Sequence, residues 1–382
     1  MSISRIERTL FRDEHRRFRE RVRAVLDTEV VPHHRDWEMR GLVDRTLWNR
    51  AGTEGFLCPA ISRDHGGKGK DRLFSIVVTE EIAKAGASGL GWGLHSDIVA
   101  PYIETYGSEA LKRAYLPAMA AGTMVGAIAM TEPSAGSDLR GIVTSARRDG
   151  DDFVVNGSKI FVTNGWHCDL VILAVKTATE GAAKGISLLL VESATDGFSR
   201  GQLLKKSGMC ALDTVELFFD EMRVPAGNLL GREGDGFSCL MQQLPWERLL
   251  AAVYTIAAAE AVLEAAIDWM KRQRANEFEG WQDGQSNRFR FAELATEVEV
   301  GRVFVDHCIA LSLRHLLNAE TASMAKLWAT NLQFKTMTKC ADMLGTAGRQ
   351  GLSIDRFWAD SGIYRLAGGS NEIMKELIGR SL

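Results

Sequence analysis

The sequence lacks the cysteine and histidine patterns that mark disulfide frameworks and metal sites. Its six cysteines are widely spaced and include no CxxC pair: Cys58, Cys168, Cys210, Cys239, Cys308 and Cys340. This spacing argues for free thiols in a reducing compartment. The eight histidines, including His33, His34 and His167, have no partners at metal-ligand spacing. We therefore expect no metal site.

The sequence also lacks a large net charge and an uninterrupted apolar run of membrane-spanning length. A net charge of −3 and a pI near 6.3 give no broad electrostatic reason to bind nucleic acid or an anionic membrane. No apolar signal segment follows the arginine-rich N-terminus. The apolar segment 249–270 carries Glu260, Glu264 and Asp268 on one face, which predicts a buried bundle helix. We expect a cytoplasmic protein.

What remains is ordinary globular composition. The chain has 382 residues, of which 46% are hydrophobic and 25% charged, enough for two or three cores. From Ile6 to about Met124 the apolar residues recur at helical spacing, as in the set Phe11, Phe18, Val22 and Val25. The first third is predicted to be an α-helical domain over residues 1–125.

The middle of the chain changes to short apolar runs bounded by turn residues. These runs predict β-strands at 153–155, 170–175, 186–191 and 215–219. After Gly231–Gly236 come three long helical stretches, at 237–274, 291–317 and 319–344, which predict an antiparallel bundle. The predicted domains are therefore a β domain over 126–235 and a helical bundle over 236–382.

One stretch, residues 129–165, suggests a place for a flat ligand. Small residues follow Thr131–Pro133, namely Ser134, Ala135, Gly136 and Ser137, and let the backbone approach a ligand closely. The alternating segment 151–162 centres on Asn156–Gly157, a dipeptide that favours a hairpin turn, and leads to Thr163–Gly165. One loop and one strand end could thus clamp a flat molecule. The alternative is a hairpin packed on an ordinary loop.

A second candidate ligand element lies near the C-terminus. Residues 368–372, with the sequence GGSNE, precede a predicted helix at 373–378. The amide groups at such a helix N-terminus can hold pyrophosphate or polar nucleotide groups. Without further context the same motif is a helix cap, with Ser370 or Asn371 as the capping residue.

In this order, the motifs resemble those of the acyl-CoA dehydrogenase family along essentially the whole chain. The matching segments are FRDEHRRFRERVRAVL, AMTEPSAGSDLRGI, NGSKIFVTNG, DTVELFFDEMRVPAGNLLG, LPWERLL and GGSNEIMKELIGR. The chain is most similar to long-chain and isovaleryl-type members. The resemblance implies an α+β, mainly α fold: a helical domain, a small β-barrel or sandwich, and a four-helix bundle. It also implies FAD as cofactor.

The resemblance assigns the flavin contacts to both parts of the 129–165 stretch. Backbone groups near Thr131 would read the pyrimidine edge of the ring, and the Thr163 hydroxyl would hydrogen bond at N5. The implied contacts with the ring are Ile128, Met130, Thr131, Gly136, Ser137, Phe161, Val162 and Thr163. The GGSNE element would hold FAD through Ser370, Asn371 and Glu372.

The sequence departs from the family where a neighbouring subunit usually grips FAD. The segment RQRANEFEGWQDGQ supplies Gln285, but the matching arginine is either Arg272 or Arg274, and a one-residue insertion is plausible. A second FAD-contacting stretch, commonly a glutamine before LGGxG, is replaced here by Asp342, Gly345 and Thr346. The resemblance still implies a homo-oligomer, most often a tetramer.

The catalytic base is the largest departure. Many members carry a glutamate at the position of Gly368, which cannot accept a proton. Long-chain and isovaleryl-type members place the carboxylate in an LxxER motif, and this chain has LPWER at 244–248. Glu247 is therefore the expected base, with burial raising its pKa. The ordinary alternative is a helix-surface ion pair with Arg248 or a neighbour. Pro245 and Trp246 suggest a local irregularity that turns the carboxylate inward.

The remaining implied residues concern the substrate. The Gly368 N–H would polarise the thioester carbonyl together with a flavin hydroxyl, as in an oxyanion hole. The implied substrate contacts are Ser137, Pro245, Arg248, Gly368 and Gly369. Asp97 lies on a helix that lines the acyl cavity in relatives; we expect it to face solvent, the alternative being a polar acyl group.

The resulting functional hypothesis is FAD-dependent α,β-dehydrogenation of an acyl-CoA thioester in fatty acid β-oxidation. The product is a trans-2-enoyl-CoA, and the electrons pass to an electron-transferring flavoprotein. Two alternatives stay open: a flavin oxidase or monooxygenase on the same scaffold, and a catalytically silent FAD-binding subunit. Acyl chain length, branching, and the choice between CoA and an acyl-carrier protein also stay open.

Overall fold

The N-terminal part of the structure is helical. A computed structural model describes residues 6–177, 185–273 and 284–382. The helices before the sheet are α1 (Asp13–Val25), α2 (His34–Arg40), α3 (Thr46–Glu54), α4 (Leu73–Lys84), α5 (Ala100–Tyr106) and α6 (Glu109–Ala120). Phe18, Val22 and Val25 are buried on one face of α1, as their spacing predicts. A π-helical turn, Leu94–Val99, leads directly into α5; we call it the π-turn.

The middle of the chain forms one eight-stranded sheet. Its strands are β1 (Gly126–Ala129), β2 (Ser145–Asp149), β3 (Asp152–Thr163), β4 (Leu170–Lys176), β5 (Ile186–Glu192), β6 (Phe198–Leu203), β7 (Thr214–Pro225) and β8 (Leu229–Leu230). The order across the sheet is β6-β7-β3-β2-β4-β5-β8, and β1 pairs in parallel with β4. Alternate residues of β4 enter two different cores, one shared with the helices and one formed by the sheet itself.

The predicted hairpin turn at Asn156–Gly157 is wrong. Strand β3 runs through both residues, and the turn to β2 lies at 149–152 instead. Asn156 is used across the sheet: its side-chain amide donates to Glu221 Oε1 and its Oδ1 accepts from the Glu221 N–H. Gly157 has φ of +145°, and a Cβ there would approach Thr144 Oγ1 to 2.6 Å. The glycine therefore serves a close approach within a strand, where the register to β7 shifts.

The C-terminal part is again helical. It contains α7 (Gly236–Gln273), α8 (Gln285–Leu313), α9 (Ala319–Gly351), α10 (Ile354–Ile363) and α11 (Asn371–Gly379). Helix α7 packs against α4, α8 and α9, so it lies between the N-terminal helices and the bundle. Helix α9 is interrupted at Gly345, whose backbone is not helical (φ 59°, ψ −170°).

A buried ion-pair network joins the two helical parts. Glu80 of α4 pairs with Arg8, Arg19 and Arg302, and Arg302 of α8 also pairs with Glu260 of α7 at 2.6 Å. Burial alone would raise the pKa of Glu80, but the three guanidinium groups hold it well below its ordinary value. The network fixes α7 against the N-terminal helices.

One described helix, α7, is long and apolar enough to cross a membrane. Its most apolar window has a mean hydropathy of 1.7, and 78% of that window is buried inside the protein. Because α4, α8 and α9 already cover this surface, the helix has the character of a core helix in a bundle.

Candidate active site

The loop after β1 is fastened to strand β3 by a buried lysine. Lys159 Nζ donates to Met130 O at 3.0 Å and to Glu132 Oε1 at 2.7 Å, and the Ile160 N–H donates to Thr131 O. Burial lowers the pKa of Lys159 to about 8, and Glu132 partly offsets the effect. The loop and the strand thus form one unit, as the clamp hypothesis requires.

Glu132 in turn closes the loop upon itself. Its carboxylate accepts hydrogen bonds from the N–H groups of Val143 and Thr144 at 2.6 and 3.0 Å. Burial opposes ionisation of Glu132, but Lys159 and these donors hold its pKa below the ordinary value. Between the fixed ends, Gly136 and Ser137 are exposed, and an added Cβ at Gly136 would meet no described atom within 4 Å. The loop backbone is open to a ligand.

The end of β3 presents a flat apolar face beside this loop. Phe161 is 63% exposed and has a left-handed backbone (φ 59°) at a register shift between β3 and β7, whereas Val162 is buried. The following turn is fixed by Asn164, whose Nδ2 donates to Gly91 O at 3.0 Å and Gly126 O at 3.3 Å. Thr163, between these anchored residues, is half-buried. An exposed phenylalanine held in a constrained backbone is suited to cover a planar ligand.

Glu247 is a buried carboxyl on α7. It is 9% exposed, and the Tyr102 hydroxyl donates to its Oε1 at 3.0 Å. Burial raises the pKa of Glu247 to about 7; the Tyr102 hydrogen bond and the charge of Arg248 oppose the rise. A carboxyl with this pKa can exchange a proton near neutral pH.

The ordinary alternative, a surface ion pair between Glu247 and Arg248, is not formed within the described residues. Arg248 instead donates from Nη1 to Ser323 Oγ at 3.2 Å, and its Nε is buried without a hydrogen-bond partner in the described chain. The expected irregularity at Pro245 does not interrupt the helix, because α7 continues through this residue. The proline only removes the N–H that would have bonded the Met241 carbonyl.

The π-turn connects the loop after β1 with the helix that carries Glu247. On one side, His95 Nδ1 accepts from the Gly126 N–H at 2.9 Å, and its Nε2 donates to Met119 O at 3.0 Å. On the other side, Trp246 Nε1 donates to Asp97 O at 2.9 Å. Burial lowers the pKa of His95 to about 4, so the imidazole is a neutral structural group. Glu247 and strand β1, which leads into the loop, are therefore positioned from the same turn.

The GGSNE element is held by a buried lysine on α9. Lys326 Nζ donates to Gly369 O at 2.7 Å and to Asn371 Oδ1 at 3.0 Å, while Ser370 Oγ accepts from the Ile373 N–H and caps α11. Burial and the charge of Arg248 lower the pKa of Lys326 to about 8. Since Arg248, which follows Glu247, donates to Ser323 one turn before Lys326 on α9, the element lies near the turn of α7 that carries Glu247.

Gly368 itself offers an open position. It has φ of +67°, and an added Cβ would meet no described atom within 4 Å. Its N–H has no hydrogen-bond partner among the described residues. The backbone donor is therefore free for a ligand atom.

The remaining residues predicted to contact FAD are not brought together. Gln285 begins α8, and Asp342, Gly345 and Thr346 lie exposed on α9. Arg272 is in the last turn of α7, and Arg274 lies outside the described residues. These contacts involve a second subunit in the family, so they stay predictions.

The expectation that Asp97 faces solvent is wrong. Its residue is only 5% exposed, and burial raises its pKa to about 7. The cause is the π-turn, which packs against β1, α6 and α7 and so removes this position from solvent.

Three functional elements were missed in the sequence: Tyr102, the Glu132–Lys159 pair and the Asn164 anchor. The lysine had a signal, because it occupies a buried position in the alternating strand NGSKIFV. Tyr102 had only a weak one, a hydroxyl in the otherwise apolar segment APYI. Its partner is 145 residues away, which spacing alone does not reveal.

Comparison with known proteins covers nearly the whole chain. Three family models match: the acyl-CoA dehydrogenase N-terminal domain at residues 12–123, the middle domain at 127–222 and the C-terminal domain at 234–382. The mitochondrial long-chain specific acyl-CoA dehydrogenase of Sus scrofa is 45% identical over 98% of this chain and 88% of its own.

Solved structures of acyl-CoA dehydrogenases are also similar to this chain. A crystal structure of acyl-CoA dehydrogenase from Geobacillus kaustophilus has a TM-score of 0.94 at 42% identity, covering 98% of this chain and 99% of its own. A chain from the electron transferring flavoprotein structure of Acidaminococcus fermentans has a TM-score of 0.92 at 29% identity, with 98% of each chain covered. A glutaryl-CoA dehydrogenase from Mycobacterium smegmatis, solved in complex with FADH2, has a TM-score of 0.88 at 26% identity, covering 97% of this chain and 95% of its own.

Proposed function

Since the chain belongs to the acyl-CoA dehydrogenase family, we propose that Glu247 is the base of its dehydrogenation reaction and that the product is a trans-2-enoyl-CoA. The enzyme is FAD-dependent, and its substrate is an acyl-CoA thioester. The observation that carries the proposal is the buried Glu247 carboxyl, whose pKa lies near 7.

The residues of the chain fit a flavin. Phe161 offers an exposed ring beside the 130–137 loop, whose backbone is open at Gly136. The N-terminus of α11, capped by Ser370, can hold a pyrophosphate or polar group of the cofactor. When bound, FAD accepts a hydride from the substrate β carbon at N5. The roles of Thr131 and Thr163 at the ring stay predictions.

The proposed step at Glu247 is proton removal from the substrate α carbon. An ordinary glutamate with a pKa of about 4.3 is a weak base toward a carbon acid. Burial raises the pKa of Glu247 to about 7, which brings it closer to the pKa of the carbon acid. About half of the Glu247 carboxyl groups are still ionised at neutral pH. Tyr102 holds one carboxylate oxygen, so the other, Oε2, is left to accept the proton.

The thioester carbonyl needs a hydrogen-bond donor as negative charge develops on its oxygen. We assign this to the Gly368 N–H, which is free in the described structure. A preorganised donor of this kind is typically worth about 3 to 4 kcal/mol of transition-state stabilisation. No side chain at position 368 is required.

The test is Glu247→Gln, compared with Glu264→Gln as a matched change on the same helix. We expect both proteins to bind FAD, which the flavin absorbance reports. Anaerobic titration with a series of acyl-CoA thioesters should bleach the flavin of Glu264→Gln but not that of Glu247→Gln, since loss of a general base costs about 10²- to 10⁴-fold in rate. Bleaching of Glu247→Gln at the wild-type rate would show that another group is the base.

We further propose that the electrons pass to an electron-transferring flavoprotein. The likeness to a chain in the Acidaminococcus fermentans electron transferring flavoprotein structure supports this partner class. Substrate-dependent reduction of an added electron-transferring flavoprotein, with little oxygen consumption, is the expected result. Rapid oxygen consumption without it would indicate an oxidase.

A further inference from the structure

Four polar side chains of α4 and the π-turn lie near the part of α7 that carries the proposed base. They are Arg72, Ser75, Ser96 and Asp97, here called the Asp97 cluster. Ser75, Ser96 and Asp97 are 0%, 4% and 5% exposed. Within the described residues, neither Arg72 nor Asp97 forms an ion pair, and both serine hydroxyls are buried without a hydrogen-bond partner. The Ser75 hydroxyl is close enough to lower the pKa of Asp97, yet it makes no hydrogen bond of normal geometry.

Such a cluster is unusual inside a folded protein. Buried polar groups are nearly always hydrogen bonded to protein, to water or to a ligand. The neighbouring Glu132, also buried, shows the usual pattern with donors to both of its oxygens. The two serine hydroxyls of the Asp97 cluster therefore have hydrogen-bonding capacity for a polar group that the described residues do not supply.

The position of the cluster identifies where that group comes from. The Arg72 guanidinium stacks over the Trp246 ring at 4.5 Å from its centroid, and Trp246 Nε1 donates to the Asp97 carbonyl. Trp246 directly precedes Glu247, and Tyr102, one turn beyond the π-turn, holds the Glu247 carboxylate. The cluster therefore lies next to the turn of α7 that carries Glu247.

We propose that the Asp97 cluster is a subsite for a hydroxyl group on the acyl chain of the substrate. The inference rests on the proposed function, because it needs an acyl chain beside Glu247. A hydroxyl both donates and accepts, so it can donate to the Asp97 carboxylate and accept from Arg72 or a serine hydroxyl. A plain alkyl chain would leave the two serine hydroxyls unpartnered.

The charges of the cluster argue against ionic groups. Asp97 would repel a second carboxylate, and Arg72 would repel an ammonium group. Arg72 already faces the carboxyls of Asp97 and Glu104, so the cluster has no unbalanced cation for an anionic ligand and suits a neutral ligand with both hydrogen-bonding roles. This distinguishes a hydroxyacyl thioester from a dicarboxylic or an aminoacyl one.

The test compares hydroxylated and unsubstituted acyl-CoA thioesters of equal length, across a series of lengths and hydroxyl positions. The proteins are the wild type, Asp97→Leu, which matches the size of the carboxyl but not its polarity, and Asp97→Asn, which keeps hydrogen bonding. We expect a wild-type preference for one hydroxylated thioester in both kcat/KM and the calorimetric Kd. That preference should fall by about tenfold to a hundredfold in Asp97→Leu and be partly kept in Asp97→Asn.

The outcomes separate this inference from the proposed function. If unsubstituted thioesters bleach the flavin and no hydroxylated one is preferred, or if Asp97→Leu keeps the preference, the subsite is wrong and the enzyme assignment stands. If no thioester bleaches the flavin but the calorimetric preference depends on Asp97, the subsite stands and the reaction is wrong. Should Asp97→Leu fail to fold or to bind FAD, Ser75→Ala replaces it as the variant in which the preference should fall.

Discussion

Replacing Tyr102 with phenylalanine removes a single hydroxyl and, with it, the hydrogen bond to Glu247 Oε1 at 3.0 Å. No other hydrogen bond reaches this carboxyl within the described residues. Because the hydroxyl donates to the ionised form, it lowers the pKa of Glu247 against the larger effect of burial. Its removal should therefore raise the pKa from about 7.

The size of the shift follows from the strength of the bond. A hydrogen bond to a charged group contributes about 1.5 to 3 kcal/mol, and one pKa unit corresponds to about 1.4 kcal/mol. We expect a rise of about one unit or somewhat more. At pH 7 the ionised fraction of Glu247 would fall from about a half to about a tenth, and kcat/KM would therefore decrease about fivefold.

The assay is the pH dependence of kcat/KM, which reports the ionisation of the free enzyme. In Tyr102→Phe the acidic limb should move to higher pH, and the rate should approach the wild-type value at alkaline pH. Tyr106→Phe is the control, since Tyr106 donates to Cys239 O and Gln242 Oε1 and makes no bond with Glu247. An unshifted midpoint with a lower rate at every pH would refute the reasoning and indicate a packing role.

Two further predictions concern stability. Lys159→Met leaves the buried Glu132 carboxylate without its cation, so we expect the free energy of unfolding, measured with denaturant, to fall by about 3 to 5 kcal/mol and FAD to be retained less well. Arg140→Met removes an exposed ion pair with Asp138 and should change neither quantity. An equal loss in both variants would contradict the argument. Burial lowers the pKa of His95 to about 4 in the folded protein, against 6.5 in the unfolded chain, so the unfolded chain binds a proton first as the pH falls. The free energy of unfolding should therefore fall by about 3 kcal/mol between pH 6.5 and pH 4. His95→Gln should lose this part of the pH dependence.

Much of the fold could be predicted because apolar periodicity is local. The spacing of Phe18, Val22 and Val25 predicts α1, and the apolar runs at 170–175 and 186–191 predict β4 and β5. The Asn156–Gly157 turn failed for the opposite reason. The dipeptide is used for a contact with Glu221, which lies 65 residues away, and no local pattern carries that information.

In the candidate site, too, residues in contiguous motifs could be identified from the sequence, whereas contacts between distant residues could not. Glu247 could be singled out from the sequence because its motif is contiguous and because Gly368 lacks a side chain; its role as the base stays a prediction. Three other residues of the candidate site, Tyr102, Lys159 and Asn164, form hydrogen bonds with residues far along the chain, and local spacing does not reveal such pairs. The burial of Asp97 could not be predicted either, since it depends on the π-turn and on its packing against β1, α6 and α7.

The open space at Gly368 has an evolutionary consequence. A carboxylate introduced there would meet no described atom at its Cβ, so this first side-chain atom adds only the cost of the left-handed backbone, about 1 to 2 kcal/mol. A descendant could therefore acquire an acidic side chain at 368 while it still carries the one at 247. The fold thereby leaves open a route by which the base changes its place in the chain without an inactive ancestor in between.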